Sequence, residues 1–392
     1  MSVAGQIHHP VAVTVVPPPG WKQISTGLDP VRGRPGTFLA PDFDVLYDCP
    51  FLMGNQEVRQ FEVRGVPHKV VIESVPETVD RQKMVADLKK IVEAATRLIG
   101  DIPYKHYTFL LMGTGNGGIE HGDSAACLFN GKSLADAKGD QGWLSHISHE
   151  YFHAFNVKRI RPIAPGPFDY EAENLTKLLW VSEGLTVYYE DIVMVRAGLM
   201  TADEYLEKMA RAMTRFENTP GRLYQSATES SAQTWSGSGF GGDRKTLDDA
   251  MRELYRIYYQ KKKPGFTDAE FRRECERAAG VPLAEVFDYA STTKRIDYAK
   301  YFAHAGLRVD DAPQEAPGAY LGVYAQSLDG RLVITDIAAE SPAESGGLRA
   351  HDEIQELDGS PASAKTLSDL LAAKSRATRL RSASCERTNP GT

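Results

Sequence analysis

The stretch of the sequence with the clearest chemistry is His149-Glu150-Tyr151-Phe152-His153, an HExxH motif. In an α-helix the side chains at positions i and i+4 point the same way, so His149 and His153 can offer two imidazoles to one Zn²⁺. Glu150 lies beside the metal and is well placed to take a proton from a zinc-bound water. This arrangement predicts metal-assisted hydrolysis. The alternative is a chance coincidence of two helical histidines and a glutamate.

A third ligand distinguishes a metal centre from such a coincidence. The stretch 179–190, LWVSEGLTVYYE, predicts a second helix that carries Glu183. Three protein ligands plus one water are typical of a catalytic zinc site, whereas structural sites have four protein ligands. We therefore expect His149, His153 and Glu183 to bind one Zn²⁺ per chain. His146, one turn before His149, is expected to be a neighbour of the site, because a fourth protein ligand would close it.

The segments around these residues resemble the glycyl aminopeptidase family, a family of gluzincin zinc metallopeptidases whose members often end in a PDZ domain. The similar segments are HEYFHAFNVKRIRP at 149–162, LWVSEGLTVYYEDI at 179–192 and GGIEH at 117–121. The resemblance implies zinc binding by His149, His153 and Glu183. It also implies that Glu150 is the catalytic base, and that Glu120 occupies the place where related aminopeptidases hold the substrate's α-amine.

The resemblance predicts an α+β protein of three domains. It covers roughly residues 60 to 235 and returns from about 243 to 358. It implies a thermolysin-like zinc peptidase domain over 79–312, preceded by a partial N-terminal β-domain over 1–78 and followed by a PDZ-like domain over 319–392. It further implies that the chain is truncated at both ends and lacks one internal helix of the family.

The first 78 residues are expected to contain short β-strands. β-Branched and aromatic residues are enriched in four stretches, 11–16, 43–47, 58–63 and 69–73. Prolines and glycines between these stretches are typical of turns. The sequence therefore predicts four strands in this part of the chain.

The region before the motif is predicted to form a helix, a strand and a sheet edge at which substrate can bind. Apolar residues recur at helical spacing over 80–99, and 107–112 is a continuous apolar strand. The stretch 118–129 is expected to form the edge strand over the metal. A peptide can add to such an edge through backbone hydrogen bonds.

Three residues of this edge are predicted to contact substrate: Gly118, Glu120 and His121. One carboxylate can select a free amine through a charge-assisted hydrogen bond, which is the role expected of Glu120. The alternative is that Glu120 is an ordinary charged residue at the end of a strand. His121 either lines the cleft or only bonds the turn.

Two further features near the motif leave alternatives open. Glu190 lies seven residues after Glu183 on the same helical face, and is either an acceptor for a ligand histidine or a solvent-facing charge. The cluster Lys158-Arg159-Arg161 follows a helical stretch. It is expected to interact with the negative end of the helix dipole or to be solvated.

The sequence departs from the family pattern after Trp235. The resemblance implies a helix with a Tyr-Tyr-x-Lys-Gly signature at this point, whose tyrosine would donate to the oxyanion. Here SGSGFGGD leads directly towards the next helix, which contains Tyr255, Tyr258 and Tyr259. The role of oxyanion donor is not assigned to any of these three tyrosines. A missing donor of this kind typically costs about 10² to 10³ in turnover, so reduced activity is expected.

The C-terminal residues resemble a PDZ domain. Tyr320–Val323 looks like its carboxylate-binding turn, 331–337 like a strand and 341–348 like its short helix. The preceding stretch 310–318, DDAPQEAPG, is typical of a linker. A PDZ domain would make a C-terminal peptide a possible partner, whereas the alternative is an unrelated small β-domain. After Lys374 the sequence predicts no alternating apolar strand to complete the fold.

Composition excludes two classes of partner. The 392 residues are 42% hydrophobic, which suffices for two or three domains. The net charge of −7 predicts no binding to nucleic acid or anionic membranes. No apolar run approaches the roughly 18 to 20 residues needed to span a bilayer. The four cysteines lack CxxC spacing and the N-terminus lacks a signal-peptide pattern. A cytoplasmic protein is expected, with a lost signal peptide as the alternative.

These observations leave two functions from different classes. The first is a zinc-dependent aminopeptidase that hydrolyses N-terminal residues from peptides with a free N-terminus, with Glu150 as general base. The second is a catalytically impaired zinc protein that acts as a PDZ-type peptide-binding adaptor. The intact ligand set and base favour the enzyme, and the missing tyrosine segment favours the adaptor.

Overall fold

The computed structural model describes most of the chain in two compact units. The described residues are 7–135, 137–163, 174–233, 248–261, 265–310, 319–328, 331–338, 341–373 and 385–387. The first unit comprises residues 1–207 and 227–291, and the second comprises 208–226 and 292–392. The segment around Trp235, where the sequence departs from the family pattern, lies outside the described residues, as do residues 311–318 of the predicted linker.

The N-terminal part of the first unit contains two small antiparallel sheets and one short helix. The strands are Val11–Thr14, Asp29–Pro30 and Thr37–Ala40 in one sheet, and Gln23–Ser25 and Leu52–Gly54 in the other. The predicted strand at 43–47 is wrong, because Phe43–Asp48 is a helix. Asp42 is its N-cap, and its side chain accepts from the backbone N–H of Val45 at 2.8 Å. This local cap outweighs the β-propensity of the segment.

A five-stranded mixed sheet lies at the centre of the first unit. Its strands, in spatial order, are Glu57–Val63, Val66–Glu73, Tyr107–Met112, Ser124–Leu128 and Gly117–Glu120. The predicted strands at 58–63, 69–73 and 107–112 are confirmed. The single strand predicted over 118–129 is wrong, because a turn at 121–123 splits it in two. Of these two strands, Gly117–Glu120, hereafter the edge strand, lies at an edge of the sheet, whereas Ser124–Leu128 lies inside it.

The predicted helix over 80–99 is confirmed as Arg81–Ile99. The side chain of Asp80 accepts from the backbone N–H groups of Gln82 and Lys83 and caps the N-terminus. Gly100 ends the helix in the left-handed conformation, with φ of 94°. The apolar face of the helix is buried in the main core of the unit, beside the central sheet.

Two helices carry the motif and the third predicted ligand. The motif helix is Ala137–Phe152, and the predicted helix that carries Glu183 is confirmed as Leu179–Arg196. They pack through fully buried aromatic rings, as in the stacked pair Phe152 and Tyr189, whose centroids are 4.7 Å apart. Burial of these large side chains fixes the two helices against each other.

Further helices complete the first unit. They are Gly131–Ala135 (3₁₀), Ala227–Ala232, Asp248–Leu254, Tyr255–Gln260 (π), Asp268–Ala279 and Ala284–Ser291. The capping box predicted at Thr267 and Glu270 is present. Within the described residues, no helix combines the length and the apolar composition that crossing a bilayer requires.

The second unit contains a four-stranded antiparallel sheet with its own small core. Its strands, in spatial order, are Val323–Leu328, Arg331–Ile337, Asp352–Ile354 and Cys385–Arg387, with a hairpin of Glu356–Leu357 and Ser360–Pro361. Its helices are Pro220–Leu223 (3₁₀), Tyr298–Ala303, Pro342–Ser345 and Ala364–Ala373. The helix Ala202–Asn218 contains the sequence boundary between the two units. The predicted strand at 331–337 is confirmed, whereas a short strand is present after Lys374, where none was expected.

Candidate metal centre

Three side chains converge at the C-terminal end of the motif helix. The Nε2 atoms of His149 and His153 are 3.0 Å apart. Glu183 Oε2 lies 3.5 Å from the Nε2 of His149 and 3.6 Å from that of His153. The structure therefore brings together the three residues predicted to be ligands. All three ligand atoms face one another, so they can hold one metal ion.

The donor set fits a zinc ion. His149 Nδ1 lies 2.8 Å from Glu190 Oε2, and His153 Nδ1 lies 2.8 Å from the carbonyl oxygen of Asn156. Because both partners only accept hydrogen bonds, each Nδ1 donates its proton and each Nε2 presents a lone pair. Tetrahedral ligands about 2.0–2.1 Å from zinc lie about 3.3 Å apart, close to the three separations at this site.

The electrostatics of the pocket also favour a cation. Burial alone would lower the pKa of His149, but Glu183 and Glu190 raise it to about 10. Burial would raise the pKa of Glu183, but hydrogen bonds with His149 and His153 lower it to about 2. The carboxylates thus attract positive charge to the point where the three ligand atoms meet.

Asn156 is a supporting residue that the sequence analysis missed. Its side-chain nitrogen donates to the carbonyl of Ser182 at 2.8 Å and to Thr186 Oγ1 at 3.0 Å. The backbone carbonyl oxygen of Asn156 accepts the hydrogen bond from His153 Nδ1. One buried residue therefore fixes a ligand of the motif helix relative to the helix that carries Glu183. In the sequence, its position three residues after His153 was the signal that could have indicated a hydrogen bond with that histidine.

Glu150 lies where a general base is needed. It is buried, and its Oε2 atom has no hydrogen-bond partner among the described residues. Its Oε1 atom lies 3.7 Å from His146 Nδ1. Burial raises the pKa of Glu150 to about 7, against the lowering effect of His149 and His153. A divalent cation at the three ligands would lower this pKa further and favour the carboxylate.

Gly118 lies on the edge strand directly opposite Glu150. A Cβ atom at this position would lie 2.3 Å from Glu150 Oε1 and 2.7 Å from His146 Cε1. Real Cβ atoms do not approach so closely, so a side chain at position 118 would displace the carboxylate. Glycine at this position therefore leaves room for the base.

Glu120, at the end of the edge strand, faces the same space. The ligand atoms of Glu120, Glu150 and His153 lie within 4.8 Å of one another. Two carboxylates at this separation repel each other, and the charge of Glu120 raises the pKa of Glu150. A positive group between them would relieve this repulsion. The structure thus brings Glu120 and Gly118 together with Glu150.

His121 and Lys158 are directed towards Asp48, a residue from a distant part of the sequence. Asp48, at the end of the short helix Phe43–Asp48, lies 2.6 Å from Lys158 Nζ and 3.5 Å from His121 Nδ1. His121 is buried, and this contact favours the turn-bonding alternative over a place in the cleft. Arg159 is paired with Asp123 at 2.9 Å. The expectation that Lys158 and Arg159 are solvated is therefore wrong, whereas Arg159 also donates to the carbonyl of Ala154 at 2.9 Å, just after the C-terminal end of the motif helix.

The three tyrosines that follow the divergent segment are engaged elsewhere. Tyr255 donates to Asp101 at 2.9 Å, and Tyr259 donates to the carbonyl of Pro103 at 3.3 Å. The ring of Tyr258 packs edge-on against Phe266. The hydroxyls of Tyr255 and Tyr259 are therefore engaged away from the three predicted ligands.

Comparison with known proteins gives matches at both the family and the fold level. Residues 142–261 match the M61 glycyl aminopeptidase family, and residues 1–55 match the N-terminal domain of peptidase M61. The first of these matches contains the HExxH motif. No curated protein sequence matches the chain.

Among solved structures, an aminopeptidase N family protein from Idiomarina loihiensis matches with a TM-score of 0.82 and 26% identity, over 95% of this chain and 73% of that chain. An M1 zinc metallopeptidase from Deinococcus radiodurans matches with a TM-score of 0.46 and 11% identity, over 73% of this chain and 62% of that chain. Aminopeptidase A from Legionella pneumophila matches with a TM-score of 0.43 and 13% identity, over 72% of this chain and 33% of that chain.

The first of these structures confirms a mixed α+β fold of the aminopeptidase kind with an N-terminal β-domain. Together with the two matches to M61 family models, it supports a metallopeptidase of the aminopeptidase type.

Proposed function

We propose that this protein is a zinc-dependent aminopeptidase that removes N-terminal residues from peptides. The proposal is supported by the convergence of His149 Nε2, His153 Nε2 and Glu183 Oε2, which are separated by 3.0–3.6 Å. In addition, the Nδ1 atom of each histidine is hydrogen-bonded to an acceptor. Three ligands leave a coordination position open, which is typical of catalytic rather than structural zinc.

Zinc bound by these three residues would polarise the scissile carbonyl and lower the pKa of a water molecule. Glu150 is the general base. Its unpartnered Oε2 accepts a proton from the attacking water, and the same carboxyl then carries that proton to the leaving amine. Gly118 keeps this carboxylate in place, because a side chain there would overlap it.

Glu120 binds the free N-terminus of the substrate. Its carboxylate and that of Glu150 lie close enough for one ammonium group to contact both. The edge strand Gly117–Glu120 offers backbone groups to an extended peptide, which would align the first peptide bond with the metal. An aminopeptidase built in this way distinguishes a free amine from a blocked one by charge.

Residues 319–392 form the proposed PDZ-like domain. Gly322 supports this interpretation, because its φ of 80° allows a tight turn before the strand Val323–Leu328. The backbone N–H of Ala338 donates to the Gly322 carbonyl at 2.8 Å. Such a domain would bind the C-terminus of a peptide.

A peptide-binding adaptor with an impaired zinc site is the second candidate. The engagement of Tyr255 with Asp101 and of Tyr259 with Pro103 favours it, since neither hydroxyl is available to an oxyanion. One assay separates the two candidates: zinc content together with hydrolysis of a panel of aminoacyl p-nitroanilides, with and without a chelator. The enzyme predicts chelator-sensitive hydrolysis. Bound zinc without any hydrolysis would favour the adaptor.

A further inference from the structure

A chain of charged groups connects the edge strand to the N-terminal part of the unit. Lys158 Nζ lies 2.6 Å from Asp48 Oδ1 and 4.0 Å from Glu120 Oε1. All three side chains are more than two-thirds buried, so water screens the charges only partly. The ammonium of Lys158 therefore has two carboxylates within reach and makes its short contact with only one.

Asp48 is itself held in place from two sides. Its Oδ2 atom accepts from the backbone N–H of Gly122 at 2.7 Å, and His121 Nδ1 lies 3.5 Å from its Oδ1 atom. Burial alone would raise the pKa of Asp48, but His121, Lys158 and Gly122 hold it well below its usual range. Asp48 thus presents a fixed negative charge to Lys158.

The position of Lys158 matters for the amine anchor. A substrate ammonium and the Lys158 ammonium are the same chemical group, and both are attracted to Glu120. If Lys158 were free to move about 1 Å closer, it would form a hydrogen bond with Glu120 and occupy the place of the substrate amine. The short contact with Asp48 holds it away.

We infer that Asp48 is a positioning residue for substrate selection: by holding Lys158, it keeps the Glu120 carboxylate available to the free N-terminus of a peptide. The inference rests on the proposed function. It adds a specificity determinant from the short helix Phe43–Asp48, 72 positions before the anchor that it serves.

Two ligands test this without depending on turnover. Alanine hydroxamate and N-acetylalanine hydroxamate both chelate zinc through the hydroxamate, but only the first carries an ammonium. The ratio of their dissociation constants on the zinc-loaded full chain isolates the contribution of the amine. In the parent we expect the free-amine compound to bind at least about tenfold more tightly, as one charge-assisted hydrogen bond provides.

Asp48→Asn should reduce this ratio to near one, because Lys158 then pairs with Glu120. The asparagine can still accept from Gly122, so the turn is kept. The double variant Asp48→Asn with Lys158→Met should restore the ratio, since no competing ammonium remains. Asp123→Asn is the matched control, because it removes the neighbouring ion pair with Arg159 in the same turn and should leave the ratio unchanged.

Two results would overturn the inference. One is an unchanged ratio in Asp48→Asn, and the other is a double variant in which the ratio stays near one, which would mean that Asp48 does not act by holding Lys158. Failure of the proposed function gives a different pattern. In that case neither hydroxamate would bind the parent, or the parent ratio would already be one and Glu120→Gln would not change it.

Discussion

The proposed metal centre and the proposed amine anchor are neighbours, because His153 belongs to both groups of possible ligands, but they are built in opposite ways. Both histidine ligands come from one helical turn, and their supporting partners, Glu190 and Asn156, lie on or beside the same two helices. Glu120, by contrast, depends on Lys158 and Asp48, which are 110 positions apart in sequence. The comparison indicates that local spacing specifies the two proposed histidine ligands, whereas the proposed amine anchor depends on long-range contacts.

The largest effect is expected from removing the proton acceptor without disturbing the ligands. Glu150→Gln should reduce kcat by about 10² to 10⁴, the usual contribution of a general base, while zinc content stays the same. Steady-state kinetics and elemental analysis of one preparation check both halves. Retained turnover in the zinc-loaded variant would remove Glu150 from the mechanism.

A smaller effect is expected where the edge strand meets the base. Gly118→Ala places a Cβ within 2.3 Å of Glu150 Oε1, so the carboxylate must move and kcat should fall by up to about a hundredfold. Gly142→Ala is the control, because it lies in the motif helix with no heavy atom within 4 Å of the new Cβ. A parent-like kcat for Gly118→Ala would show that the cavity tolerates the shift.

The amine anchor should show a selective loss. Glu120→Gln should weaken the reaction of free-amine substrates about ten- to a hundredfold, the value of a charge-assisted hydrogen bond of about 1.5–3 kcal/mol. The kcat/KM values of an aminoacyl p-nitroanilide and its N-acetylated form separate the two effects. Equal losses on both compounds would assign Glu120 a structural role.

The smallest effect on the site is expected from changing Glu190, the acceptor for His149. Glu190→Gln replaces a charged acceptor of His149 by a neutral one, so zinc affinity should fall by at most about ten- to a hundredfold and stoichiometry at saturating zinc should remain one. Competition with a chromophoric chelator measures the affinity. An unchanged affinity would mean that the carboxylate charge contributes nothing through the histidine.

The limits of sequence-based prediction follow the same division. His149 and His153 were predictable because helical periodicity places i and i+4 together. Glu183 followed from the stretch 179–190 and its resemblance to the family, and an acceptor role was one of two alternatives for Glu190. Asp48 was not predictable, since the adjacent segment 43–47 was interpreted as a strand and no local pattern relates Asp48 to Lys158. The N-cap at Asp42 was the signal that could have corrected the secondary structure.

We propose that the metal lies between His149, His153 and Glu183 rather than in the neighbouring space bounded by Glu120, Glu150 and His153. Both sets contain His153, so the other carboxylates decide between them. Zinc per chain, measured by elemental analysis after dialysis, should be one in the parent and in Glu120→Ala, and should fall towards zero in Glu183→Ala. One zinc retained by Glu183→Ala and lost from Glu120→Ala would contradict the account.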